Sequence, residues 1–240
     1  MSNISIVHGD SLEKMYGITD KSVKMIFADL PQGITKNVWD IIIPFEPLWK
    51  QFERIIKDNG IIVLMTNQPF TSEAVLSNKK LFRYSMVWKK PAGTDFLNAK
   101  KKPLKNHEDI LIFYKNQPAY YPQKTTGHKP VNSYTKHTSD GTNYGKTKTG
   151  ISGGGSTERY PKTVLEFPTD KQKSALNATQ KPVALIEWFL KSFTEEGDEV
   201  LDPCMGSGST MQACINLNRK GCGIEKNENE FNKAKIRLKI

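Results

Sequence analysis

The sequence predicts an α/β fold on a largely parallel sheet, and three observations lead there. Short β-branched runs alternate with stretches of helical periodicity along most of the 240 residues. Two closely spaced glycines, Gly206 and Gly208, separate one such strand from a helix. Acidic residues stand where strands stop, at Asp29 and at Glu225.

Taken in order, Ile4 to Val7 is a short apolar run that closes into His8, Gly9 and Asp10, a strand followed by a loop. Val23 to Ala28 is a second strand, and it stops at Asp29, Leu30 and Pro31. From Pro44 to Lys57 the apolar residues Phe45, Leu48, Trp49, Phe52, Ile55 and Ile56 recur at helical spacing. Asn59 and Gly60 are read as the stop, before a buried strand over Ile61 to Met65. A short helix is expected from Thr71 to Asn78, with strands at Arg83 to Trp88 and Ile110 to Tyr114. Between Asn116 and Asp170 the pattern dissolves into Thr, Ser, Asn, Gly, Lys and Tyr, the composition of an insertion. Order returns with Pro182, suited to the first helical position ahead of Val183 to Phe193. A strand at Glu199 to Leu201, the glycine loop, a helix through Leu217, a strand ending on Glu225 and a helix from Glu230 to Lys239 complete the chain. The organisation expected is a single fold in two halves, 1–115 and 176–240, around a basic insertion at 116–175.

The formal net charge of +10 is concentrated in the middle. Between Lys89 and Lys181 there are 17 Lys and Arg against 7 acidic residues, an excess equal to that of the whole chain. A segregated cationic segment suits a polyanionic partner, since neutralising phosphates releases counterions. The three cysteines have no paired spacing and the four histidines no ligand spacing, so neither a disulfide framework nor a metal site is expected. No leader pattern and no apolar run of about 18 residues is present, so a cytoplasmic protein without membrane attachment is expected.

Two segments carry chemistry. Strand, Asp202 to Ser209, helix, strand, Glu225 is a mononucleotide-binding unit: the glycines let the backbone approach a ligand at a helix N-terminus, and Glu225 can accept hydrogen bonds from a ribose diol. A nicotinamide enzyme would carry a third glycine where Met211 stands. Cys204 follows a proline, as a methyltransferase nucleophile can, yet its place in the glycine loop suits a small packing residue. The second segment is Asp29-Leu30-Pro31-Gln32. An Asp ahead of a turn proline is often only a cap. A carboxylate beside a backbone carbonyl fixed by proline can also accept the hydrogens of an aromatic amine, freeing its lone pair without metal or covalent intermediate.

Together these residues resemble the DNA amino-methyltransferases, in the arrangement where the catalytic motif precedes the cofactor loop. Asp29-Leu30-Pro31-Gln32 resembles that family's D-P-P-Y tetrapeptide, Thr179-Gln180-Lys181-Pro182 its motif before the first sheet helix, and Asp202 to Gly208 its methionine-binding loop. The resemblance implies a Rossmann-like methyltransferase fold with a seven-stranded, mostly parallel sheet, and the insertion as target-recognition region. It implies S-adenosyl-L-methionine as cofactor, held by Asp10, Asp29, Thr179, Gln180, Lys181, Asp202, Met205, Gly206, Ser207, Gly208, Ser209 and Glu225, with Asp29, Leu30, Pro31 and Gln32 catalytic. Double-stranded DNA is the implied partner, gripped at Lys100, Lys101, Lys102 and Lys105, with the target base flipped out of the stack. The resemblance leaves room for a homodimer and a restriction endonuclease partner. An aspartate at the first tetrapeptide position is similar to the adenine-N6 members, whereas cytosine-N4 members usually have serine. Cytosine-N4 or RNA amine methylation are the alternatives, as is a catalytically silent DNA-binding relative, because Gln32 replaces the aromatic that stacks on the flipped base.

Overall fold

The computed structural model describes residues 3–35, 40–136, 151–169 and 180–240. The chain divides into two compact units, one of residues 1–121 with 163–240 and one of residues 122–162.

The larger unit is a three-layer α/β/α arrangement. Its eight strands are β1 (Ile4–His8), β2 (Val23–Ala28), β3 (Ile56–Thr66), β4 (Phe82–Thr94), β5 (Lys105–Phe113), β8 (Val164–Glu166), β9 (Glu199–Asp202) and β10 (Lys220–Glu225). Their spatial order is β1-β10-β9-β2-β3-β5-β4-β8. Strands β1, β10, β9, β2 and β3 run parallel to one another, β5 is antiparallel to β3 and to β4, and β8 is parallel to β4. The sheet has one strand more than the seven expected. The extra strand, β8, holds three residues, of which only Leu165 is buried, too short for periodicity to reveal inside a loop-like segment.

Alternation along the strands divides the core into two faces. Met25 and Phe27 of β2, with Ile61, Val63 and Met65 of β3, face α4 (Val183–Phe193) and α5 (Ser209–Asn216) through Leu185, Ile186, Phe189 and Met211. Ile26, Ala28, Ile62 and Leu64 face the other layer, where α2 (Phe45–Ile55) contributes Leu48, Trp49, Phe52 and Ile55 and α3 (Phe70–Ser77) contributes Phe70 and Ala74. The short α1 (Ser11–Met15) joins that layer, and α6 (Glu228–Leu238) packs Ala234 and Leu238 on the first.

Several boundaries differ from the expectation, most informatively at three places. Helix α2 stops at Ile55, and Asn59-Gly60 lies inside β3 instead of ending the helix. A Cβ at Gly60 would come within 2.9 Å of the Lys24 carbonyl, so the glycine serves close strand approach. Pro182 caps α4 from an extended conformation, one residue ahead of the first helical position. Strands β4 and β5 are much longer than their apolar stretches and form an antiparallel hairpin reaching Thr94 and Lys105.

The smaller unit contains the antiparallel pair β6 (Tyr134–Lys136) and β7 (Ile151–Gly153) and a bridge between Thr125 and Arg159. Lys124 pairs with Glu158 at 2.8 Å and lies over the Tyr160 ring. Among the described residues, no helix is long and apolar enough to cross a membrane and no cluster of three or more His, Cys, Asp or Glu could hold a metal.

Candidate active site

The chain order reverses direction between β2 and β9: from β9 it proceeds toward β1, from β2 toward β3. Loops leaving the carboxyl ends of these two strands diverge and open a crevice at the sheet edge. Asp29 follows the end of β2, Asp202 ends β9, Glu225 ends β10, and Gly9-Asp10 follow β1. Parallel register puts them on one edge, with His8 opposite Glu225 and Gly223 opposite Asp202.

On the β2 side, the Lys181 ammonium donates to Asp29 Oδ2 at 2.5 Å. Burial raises the Asp29 pKa, Lys181 opposes the rise, and Glu108 adds to it. Leu30 is buried, and Gln32 is only 8% exposed. The Gln32 amide donates to the Met65 carbonyl at 3.3 Å and more weakly to Asp29 Oδ1 at 3.5 Å, and its Oε1 accepts from Asn67 at 3.2 Å. The backbone after the tetrapeptide is fixed by one carboxylate. Asp40 accepts the N–H groups of Gln32, Gly33, Ile34 and Thr35 at 2.7–3.0 Å. Burial alone would raise the Asp40 pKa, but a hydrogen bond from the Thr35 side chain and these backbone N–H groups hold it below the usual carboxylate value.

Behind Asp29 lies a buried charge chain. Glu108 of β5 is 2.5 Å from Lys90 and 3.3 Å from Lys181. The Oε2 facing Lys181 is buried and lacks an aligned hydrogen bond. The Lys181 pKa is raised: burial works against the ammonium, and the carboxylates of Asp29 and Glu108 outweigh it. Lys90 also lies 4.9 Å from the Trp88 ring centroid. Sequence reading missed Glu108, Lys90 and Asp40. Glu108 did carry a signal, since it is in phase with the buried Ile110 and Ile112, and a charge in a core-facing register demands a partner. Asp40 carried none.

On the β9 and β10 side, Asp202 shapes the loop from within. It accepts from Thr210 Oγ1 at 2.5 Å and from the Cys204 N–H at 3.1 Å, and burial pushes its pKa up to about 7. Strand β9 pairs with both β2 and β10, so Asp29, Asp202 and Glu225 stand at the ends of neighbouring strands. Gly208 adopts φ +82°, and a Cβ there would meet Ala234 and Leu238 of α6 at 3.3 Å. Gly206 adopts φ +52°, and no atom lies within 4 Å of where its Cβ would be. That gap is a cradle only glycine leaves open, suited to a ligand held against backbone. Glu225 accepts the Gly206 N–H at 2.8 Å and the Asn227 N–H at 2.7 Å, one on each oxygen, leaving acceptor capacity for two hydroxyls. These residues fit a nucleoside carrying an amino acid chain.

The remaining expected residues have varied surroundings. Ser207 donates to Gln180 at 3.4 Å, and Ser209 accepts from Arg237 at 3.1 Å. Met205 turns its side chain into the core against Gly223, so it offers the crevice only backbone. Asp10 caps α1 and pairs with Lys226 at 3.1 Å. Ser11, unanticipated, donates to the Pro203 carbonyl at 2.5 Å and ties the start of α1 to the loop. Burial raises the Cys204 thiol, leaving it protonated and unsuited to nucleophilic attack. Thr179 lies outside the described residues. Lys100, Lys101 and Lys102 are exposed between β4 and β5, with Lys102 paired to Asp95 at 2.7 Å, whereas the Lys105 ammonium turns inward to Asn67.

The DNA methylase family matches residues 23–235. The DNA adenine methyltransferase YhdJ of Escherichia coli (strain K12) is 29% identical over 265 residues, covering 98% of this chain and 83% of its own. The Type II methyltransferase M.HpaI of Haemophilus parainfluenzae is 24% identical over 243 residues, covering 97% of this chain and 73% of its own. The solved structure of the M1.HpyAVI–SAM complex is similar in fold, with a TM-score of 0.67 at 24% identity over 99% of this chain and 100% of that one. The family match runs from β2 into α6 through both loops of the crevice, and the chain belongs to the DNA methylases, the S-adenosylmethionine-dependent methyltransferases of adenine N6 and cytosine N4.

Proposed function

We propose that this chain methylates N6 of adenine in double-stranded DNA, with Asp29 receiving the amine of the flipped base. The observation that carries this reading is an aspartate at the head of the tetrapeptide, at a parallel strand end beside the crevice. S-adenosylmethionine supplies an electrophilic methyl group when bound, and Glu225, Gly206, Ser207, Gly208 and Gln180 are the residues that would hold it.

Asp29 accepts one hydrogen of the exocyclic amine, which draws the nitrogen lone pair out of conjugation with the ring. As nitrogen gains the methyl group it loses a proton, and the Asp29 carboxylate takes it. Its burial makes it a stronger base than an ordinary aspartate. Lys181 orients the carboxylate, and Asp40 holds the following backbone still. With Gln32 in the aromatic position, the base meets an amide tied to Asp29 and Asn67 in place of a stacking ring. The basic insertion serves target recognition in this reading. Cytoplasmic location, a homodimer and a restriction endonuclease partner belong to it too, on the family resemblance and on relatives named Type II methyltransferases.

The test is transfer from labelled cofactor to DNA, to RNA and to no acceptor, followed by nucleoside analysis. N6-methyladenine from duplex DNA alone is the expected product. N4-methylcytosine, or label in RNA, would overturn the assignment, and no label anywhere would identify a silent binder. Glu225→Ala is expected to weaken S-adenosylmethionine binding by about 2 kcal/mol, roughly thirtyfold, through loss of two charge-assisted hydrogen bonds. Calorimetry on the folded variant measures it, and unchanged affinity removes Glu225 from the site.

A further inference from the structure

The β4–β5 hairpin overhangs the edge of the sheet that carries the crevice. Asp109 of β5 pairs with Thr66, the last residue of β3, so everything preceding Asp109 runs past that edge. The two strands stay paired beyond it, through Lys89 with His107 to Thr94 with Lys105. The turn between them is internally tied. Asp95 adopts φ +71°, accepts from Asn98 at 2.7 Å and pairs with Lys102 at 2.7 Å, and Phe96–Asn98 forms a single 3-10 turn. On this built tip Phe96 is 68% exposed and Leu97 is 98% exposed, immediately before the exposed Lys100, Lys101 and Lys102.

The turn end of the hairpin is also linked to the catalytic loop. The Lys105 ammonium donates to Asn67, Asn67 donates to Gln32, and Gln32 reaches Asp29. Two adjacent apolar side chains in water have little reason to sit beside a lysine cluster unless the partner is itself apolar inside and anionic outside. The base stack of duplex DNA has that construction, and apolar side chains inserted at base steps are a known means of unstacking them.

We propose that Phe96 and Leu97 form a wedge that enters the duplex beside the target base as that base leaves for Asp29, while Lys100 and Lys101 hold the flanking phosphates. The inference rests on membership of the DNA methylases and not on the choice of adenine.

The experiment uses the full chain, S-adenosylmethionine and a duplex carrying its methylation site, with 2-aminopurine next to the target base. That probe brightens when its stacking neighbour departs, whichever base is methylated. In the Phe96→Ala/Leu97→Ala variant, the brightening and the single-turnover rate are each expected to fall at least about tenfold, with cofactor affinity unchanged. A duplex with an abasic position opposite the target, where unstacking costs less, is expected to restore the rate to within about threefold of wild type. Leu97→Met, which keeps an apolar reach, is expected to retain most of both signals. Equal losses on both duplexes, or no loss, would overturn the wedge. So would sedimentation showing that the double variant has lost a dimer present in wild type, which would make the tip a contact between two copies.

Discussion

Asp29→Ala is expected to lower the single-turnover rate of methyl transfer by at least about a thousandfold while leaving S-adenosylmethionine affinity within a few-fold of wild type. The asymmetry follows from the layout. Glu225, the proposed ribose acceptor, and the glycines belong to the β9 and β10 loops, whereas Asp29 stands across the crevice after β2. The fold is expected to survive, because Lys181 keeps Glu108 at 3.3 Å once Asp29 is gone. Asp29→Asn preserves shape but cannot take the proton, and is expected to retain only a trace. The wild-type rate carries a pH signature of the same residue. Burial raises the Asp29 pKa, so the reactive carboxylate forms only as pH rises through that elevated value. The acid limb of the rate profile is therefore expected above the range of an ordinary aspartate, and Asp29→Ala removes it. An Asp29→Ala enzyme that retains a substantial rate would end the assignment of Asp29 as acceptor of the amine.

Glu108→Gln is expected to lower kcat by about ten- to hundredfold, through a residue behind the reacting atoms. Glu108 divides its charge between Lys90 and Lys181, and Lys181 between Glu108 and Asp29. Without the Glu108 charge, Lys181 belongs to Asp29 alone and holds it away from the amine. The sign of the pH effect separates this from simple damage. Glu108 raises the Asp29 pKa, so neutralising it lowers that pKa and moves the acid limb to lower pH. Burial works to raise the Glu108 pKa, but its two lysines hold it below the usual value, so the wild-type carboxylate is ionised wherever the enzyme is active. A rate profile taken alongside KM for both substrates measures this. A fall in kcat with an unmoved acid limb would reduce Glu108 to a packing role, and Glu108→Asp, which keeps the charge, is expected to recover part of the rate.

Much of the candidate site was legible because it lies where one-dimensional signals are strongest. A strand that ends in Asp29, a strand that ends in Glu225 and a glycine pair before a helix are local patterns, and parallel strands automatically carry such ends to one edge. Strand β2 and helix α4 matched the expected Val23–Ala28 and Val183–Phe193 for the same reason: burial on both faces or on one stripe leaves a clean apolar period. The boundary at Ile55 was illegible because Ile56 continues the helical spacing while belonging to the strand, and only pairing with Val23 decides it.

The sequence by itself determined the α/β class, the order of the two chemical loops and the cofactor they suit, since each rests on residues near one another in the chain. Tertiary structure alone decided what surrounds Asp29. The Lys181–Glu108–Lys90 chain draws on β5, β4 and the segment before α4, and Asp40 accepts the N–H groups of Gln32 to Thr35. Charges so far apart in the chain have no common period, and nothing in the sequence pairs one of them with another. They become partners only when the sheet buries them together, because an ion removed from water must find its counterion in space, wherever in the sequence that counterion happens to be.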